Sequence, residues 1–147
     1  MASDGEKLVT FSGSPSKDNV YETNVDVDKV PSKIRVEMKG TGGSGGYLLS
    51  THDIYKGLTE LPKLEIPKLS EEEMKEKIEA PSMSKHGLTV SKPSIQNVKS
   101  MPGSPQLFSS VINVEEAGDY TAVFAHFRPW NPSDSSTSYY VVHIHAH

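Results

Sequence analysis

Ile34, Val36 and Met38 alternate with Arg35, Glu37 and Lys39. Apolar and charged residues taking turns at a period of two describe a half-buried strand, with one face on a core and the other in water. The run Gly40-Thr41-Gly42-Gly43-Ser44-Gly45-Gly46 follows. It is too permissive for helix, and it sits where one strand must turn into another. Tyr47-Leu48-Leu49 then reads as strand again, so the glycines are expected to connect antiparallel strands.

Similar patterns recur along the chain. Leu8, Val9 and Phe11 seed a short strand, and residues 20–25 form a second whose two faces are mixed. Leu88-Thr89-Val90, Leu107 to Val114, Tyr120 to Phe127 and Tyr139 to Ala146 complete the set. About seven to eight short strands with turn signals between them predict an all-β sandwich in one domain spanning 1–147.

Residues 57–106 break the pattern, with Pro62, Pro67, Pro81, Pro93, Pro102 and Pro105 interrupting them. Inside lies one helix signal. Ser70 and Glu73 have the spacing of a capping box, Leu69 and Met74 occupy the staple positions, and Met74 and Ile78 share a face. Glu71, Glu72 and Glu73 stand at the positive end of the helix dipole, and Pro81 stops the helix. Such a short helix with one thin apolar stripe must dock on something larger. The expectation is an insertion over 51–85 with a helix near 70–80, held by Leu69, Met74 and Ile78. Glu72, Glu76 and Glu79 face water or a partner, and the sandwich is expected to fold without residues 59–85.

Composition narrows the function classes. There is no cysteine, which removes disulfides, thiolate nucleophiles and Cys-ligated zinc. Lys+Arg 15 against Asp+Glu 19 leaves a net charge of −4, the wrong sign for a nucleic-acid domain. No apolar run approaches the ~20 residues of a membrane helix, and Met1-Ala2-Ser3-Asp4-Gly5 does not read as a signal peptide.

Several motifs could carry chemistry. Gly40, Gly42 and Gly45 fit G-x-G-x-x-G, but that fingerprint needs a buried parallel strand before it and a helix after it. Neither is expected here, so a nucleotide enzyme has only this weak support. His143, His145 and His147 alternate with Val142, Ile144 and Ala146; three imidazoles about 7 Å apart on one strand face have metal-ligand spacing. The plainer reading is favoured: the apolar set faces the core, the histidines face water, and no metal or other cofactor is expected. His52 and Asp53 read as a surface pair. With no G-x-S-x-G elbow and no H-E-x-x-H, the chain is not expected to be an enzyme.

Two motifs are more specific. Glu116-Ala117-Gly118-Asp119-Tyr120, a turn entering a strand, is similar to the tyrosine corner of immunoglobulin domains. The cysteines of antibody domains are missing, Ala122 standing where one would be, so the sandwich is expected to be immunoglobulin-like without their disulfide. Arg128-Pro129-Trp130 closes a strand and opens a loop. Either the only tryptophan is an exposed interface anchor, or it folds back over the sandwich edge.

The stretch from Val114 through Phe127 to Arg128-Pro129-Trp130 resembles the matching strand–turn–strand–Arg-Pro-Trp of chagasin-like cysteine protease inhibitors. That resemblance covers residues 20–50 and roughly 86–147. It implies an immunoglobulin-like sandwich presenting three loops from one end to the cleft of a papain-like cysteine protease. In the first loop, the family's Asn-Pro-Thr-Thr-Gly-aromatic motif is retained only at Gly46-Tyr47; Gly42, Gly43, Ser44 and Gly45 stand over the rest. Pro102, Gly103 and Ser104 occupy the place of the second loop, and Arg128, Pro129 and Trp130 match the third in full. The departures point to an apicomplexan, falstatin-type branch. The resemblance implies a reversible, non-covalent inhibitor of cathepsin L-like or falcipain-like proteases, monomeric when free, and secreted or vacuolar. An adhesion or interaction module using the same loops is the alternative.

Overall fold

The computed structural model describes residues 6–11, 19–40, 48–57, 70–80, 82–96, 106–127 and 137–147. Among them, in chain order, are β1 (Glu6–Thr10), β2 (Val20–Val27), β3 (Ser32–Gly40), β4 (Leu48–Lys56), α1 (Glu71–Glu79), β5 (Ser82–Lys85), β6 (Leu88–Ser91), β7 (Ser94–Gln96), β8 (Gln106–Val114), β9 (Gly118–Phe127) and β10 (Ser138–Ala146). Two sheets face each other as an immunoglobulin-like sandwich. The first has the order β1-β3-β8-β6-β5, with β7 also pairing with β8. The second has the order β2-β10-β9-β4. Neighbours are antiparallel except β1 with β3 and β2 with β10, which run parallel.

The alternation in β3 does what its period requires. Ile34, Val36 and Met38 are essentially inaccessible to water, while Arg35 and Glu37 on the other face are partly exposed. Tyr120, Ala122, Phe124, Tyr140, Val142 and Ile144 of the second sheet meet them in one core. Each such side chain removed from water contributes roughly 1.5–3 kcal/mol.

Local devices shape the ends of the strands. The phenol of Tyr120, buried in the core, donates to the carbonyl of Glu116 at 3.0 Å, which is the tyrosine corner expected from the sequence. Burial and the nearby Glu116 carboxylate both push this phenol above its ordinary pKa. The two-residue turn His86-Gly87 joins β5 to β6 with φ of 58° and 84°, the paired left-handed values that suit a tight hairpin. A side chain at Gly87 would also press on Glu116 Oε2, 3.3 Å from an added Cβ.

Both open sides of the sandwich are closed by side chains. On one side Phe11 meets Tyr140 edge-on at 5.0 Å, and Tyr21 stacks on Tyr140 at 4.8 Å. Burial, with Tyr21 adding, pushes the Tyr140 phenol up to about 12. Lys7 Nζ donates to the Asp26 carbonyl at 2.6 Å on the same side. On the other side Lys85 of β5 reaches Asp53 of β4.

Several sequence expectations need correction. The Gly-rich run connects strands that run in opposite directions, as expected, but the two are not paired, because β3 lies in one sheet and β4 in the other. Strand β4 runs on to Lys56, and Ser82–Lys85 forms β5, so both limits of the segment drawn at 51–85 fall within strands. The short strands β5 and β7 raise the count above seven to eight. Strands β6 and β7 share one edge of β8 and are interrupted at Lys92-Pro93. Proline has no N–H for the ladder. Ser91 bridges the break: its Oγ accepts from the Val111 N–H at 2.8 Å, and its carbonyl accepts from Ser110 Oγ at 2.7 Å.

Candidate functional site

Strand register decides where the candidate loops emerge. Gly40, the last residue of β3, is paired with Gln106, the first of β8. Leu48, the first of β4, is paired with Phe127, the last of β9. Ser138, the first of β10, faces His126, and Gln96, the last of β7, faces Leu107. The segments 41–47, 97–105 and 128–136 therefore all leave from, and return to, one end of the sandwich. Residues 42–47, 102–104 and 128–130, the candidate contact residues Gly42, Gly43, Ser44, Gly45, Gly46, Tyr47, Pro102, Gly103, Ser104, Arg128, Pro129 and Trp130, lie outside the described residues. Their strand roots are described, and these roots lie at one end of the sandwich.

The same register shows a connection that the sequence reading did not single out. Thr10, which ends β1, is level with Glu37 of β3, and Val20, which begins β2, is level with Tyr139 of β10. Segment 12–18 thus starts and finishes at the loop end as well. The tyrosine corner at 116–120 and the His86-Gly87 turn occupy the opposite end.

The outward face of the second sheet divides into two halves. Toward the loop end it is apolar: Val123, Ala125 and Phe127 of β9 lie beside Tyr139 and Val141 of β10. Helix α1 covers this half through Met74, which is buried against those residues, with Val20 and Tyr55 at the margin. The helix begins as its sequence requires. Ser70 Oγ accepts from the Glu73 N–H at 3.2 Å, and the Glu73 carboxylate accepts from the Ser70 hydroxyl at 3.0 Å. It ends at Ala80, in the extended backbone that a following proline favours. The side chains of Leu69 and Ile78, expected to dock with Met74, lie outside the described residues.

Away from the loop end the face turns polar. Thr121 Oγ1 lies 3.2 Å from His143 Nδ1, and His143 Nε2 lies 3.8 Å from Glu22. His145 Nδ1 meets Asp119 at 3.0 Å, and His147 Nε2 stands 3.9 Å from Asp26. Each histidine of the stripe has its own carboxylate from a neighbouring strand. The imidazoles face outward while Val142, Ile144 and Ala146 are buried. Among the described residues no group of three or more His, Asp or Glu side chains could hold a metal ion.

His52 and Asp53 are both half-buried, and each has partners beyond the other. A bulge falls between Thr51 and Asp53, with His52 as the extra strand residue. The ring of His52 sits edge-on to Tyr139 at 5.8 Å, beside the apolar half of the face. Asp53 accepts from Lys85 Nζ at 2.7 Å and from the Ile54 N–H at 2.8 Å. Burial alone would raise its carboxyl. The Lys85 hydrogen bond, the Ile54 N–H and the charges of Lys85 and His52 outweigh that and hold it below the ordinary value.

A rigid end presenting several loops can fill a concave surface on another protein. No family model matches the sequence, and no curated protein matches it. Solved structures do match. PbICP-C, solved in complex with falcipain-2, superposes with a TM-score of 0.70 at 19% identity, covering 96% of this chain and 99% of that one. The solution structure of amebosin gives 0.56 at 13% identity, covering 97% and 98%. EhICP2, a cysteine protease inhibitor from Entamoeba histolytica, gives 0.44 at 14% identity, covering 95% and 94%. By fold, this chain is an immunoglobulin-like sandwich of the kind seen in PbICP-C and amebosin, matched over nearly its whole length.

Proposed function

We propose that this chain is a reversible, non-covalent inhibitor of papain-like cysteine proteases, acting in the manner of the chagasin-like family. One observation carries the reading. The Gly-rich run, the Pro102-Gly103-Ser104 segment and Arg128-Pro129-Trp130 are far apart in sequence, yet their roots meet at one end through the Gly40–Gln106 and Leu48–Phe127 pairings. PbICP-C, which shares the fold, was solved bound to falcipain-2.

The chemistry of occlusion follows from residue type. Residues 42–46 have little side-chain bulk, so their backbone can approach a catalytic thiol closely, with Ser44 able to hydrogen-bond beside it. Trp130 and Arg128 are residue types that anchor interfaces, and Trp130 suits an aromatic wall of the cleft. Ordering a glycine-rich loop costs conformational entropy, which strands anchored on both sides of it reduce in advance. A secretory-pathway or vacuolar location and a monomeric free state belong to the same proposal.

The test is inhibition of papain and cathepsin L by the purified chain. Reversible inhibition at or below micromolar concentration is expected, with the chain recovered intact. No effect, or steady hydrolysis of the chain, would leave an adhesion or interaction module as the better account.

A further inference from the structure

Helix α1 is seated on the roots of the Arg-Pro-Trp connection. Phe127 immediately precedes Arg128, and Tyr139 is the second residue of the strand that receives the chain again. Both belong to the apolar cluster that Met74 completes, together with Val123, Ala125 and Val141. Met74 is 6% exposed, whereas Glu71, Glu72, Glu73, Lys75 and Glu76 around it are exposed. Among the described side chains of α1, one residue therefore makes the dock.

The position of that dock is informative. Covering Val123, Ala125 and Val141 accounts for the helix as a shield; Phe127 and Tyr139, at the loop end of the same rows, make it a support for the loop roots as well. The helix covers the apolar half of the face and sits on the rows from which the 128–136 connection departs. Tyr139 is held from three further directions. Its N–H donates to the Asn19 carbonyl at 3.0 Å, it pairs with Ala125 across the ladder, and His52 abuts its ring. The support thus draws on α1, β2, β4 and β9 together.

We infer that α1 is a brace for the third binding loop, with Met74 as its positioning residue acting through Phe127 and Tyr139. The inference rests on the inhibitor reading for its consequence, but its physical content is independent of it. A packed support fixes the two roots, so less freedom remains to be lost when the loop meets a partner.

Trp130 is the only tryptophan in the chain and lies within the braced connection, so its emission reports on that connection alone. The experiment measures acrylamide quenching and anisotropy of Trp130, with papain inhibition, in the full chain and in Met74→Ala and Met74→Leu, well below their melting temperatures. Met74→Ala should raise the quenching constant, lower the anisotropy and weaken inhibition by about tenfold, equivalent to ~1.4 kcal/mol. Met74→Leu, which refills the dock, should restore all three. Should Met74→Ala fail to fold, Ser70→Ala carries the test. It weakens the helix start without touching the sheet and should shift the same readouts in the same direction by less. Quenching and anisotropy unchanged in the folded variant would overturn the brace. Loss of inhibition by the unaltered chain, with the Trp130 response to Met74→Ala intact, would instead overturn the inhibitor reading and leave the brace standing.

Discussion

Lys85 Nζ lies 2.7 Å from Asp53 Oδ1, joining the edge strand of one sheet to the edge strand of the other. The contact closes a side of the sandwich that no backbone ladder closes. Both side chains are partly exposed, so the pair contributes on the order of 0.2–1 kcal/mol. Because the Asp53 carboxyl is held below its ordinary value of 3.8, its contribution is complete above that pH and fades as pH falls through the lower folded value. Lys85→Met should lower the urea midpoint at pH 7, and the gap between variant and parent should shrink on acidification below about pH 4. A gap that does not change between pH 7 and pH 2 would show that the pair does not act through charge.

Tyr120→Phe deletes the hydrogen bond to Glu116 while keeping the ring. The expected loss is about 1–1.5 kcal/mol in chemical denaturation, near the upper part of the usual range for one hydrogen bond. The corner lies at the end opposite the loops, so inhibition constants of the folded variant should match those of the parent.

Trp130→Ala should weaken protease inhibition by roughly 2 kcal/mol or more, the loss expected of a central aromatic anchor, with little change in melting temperature. The reverse result, a large stability loss with unchanged affinity, would mean that the indole packs on the sandwich.

Gly46→Val places a β-branched residue where close backbone approach is required. Inhibition should fall by more than any shift in melting predicts, and Gly45→Val should behave alike. Melting curves recorded beside inhibition constants separate the two effects.

Replacing residues 59–80 with a Gly/Ser linker removes α1 and uncovers Val123, Ala125, Phe127, Tyr139 and Val141. The strands should still form, seen by circular dichroism, but with a lower melting temperature and a tendency to self-associate in gel filtration, as an exposed apolar patch demands. Extending the cut to residue 85 also removes β5 and Lys85, and should be distinctly worse. The sequence reading made no distinction between these two cuts.

Much of this architecture is legible in the chain. The alternation at 34–39 and 142–147 predicts which residues face the core, and Tyr120 and Ser70 declare a corner and a helix start through spacing alone. Other features leave weaker marks. Ser82-Met83-Ser84-Lys85 carries one apolar residue, so β5 shows almost no period. A glycine run gives the length of a connection without its direction, which is why the crossing between sheets at 41–47 cannot be read. The docking place of α1 did leave a signal: Ala122 to Phe127 is almost continuously apolar, the mark of a strand covered on both faces. The proposed loop contacts are legible only as motifs, since short glycine- and proline-rich segments carry no periodicity.

The parallel pairing of β2 with β10 has a consequence for the order of events in the chain's life. Strand β10 sits between β2 and β9, so the second sheet lacks an interior member until residues 138–146 have been synthesised. Until then β2 has no partner there, and the half-made sheet offers unpaired edges to whatever strand or protease it meets. Contacts between such distant parts of a chain form slowly, because a long loop must close before they are rewarded. The newly made chain therefore passes through a period of vulnerability that lasts until β10 takes its place between β2 and β9.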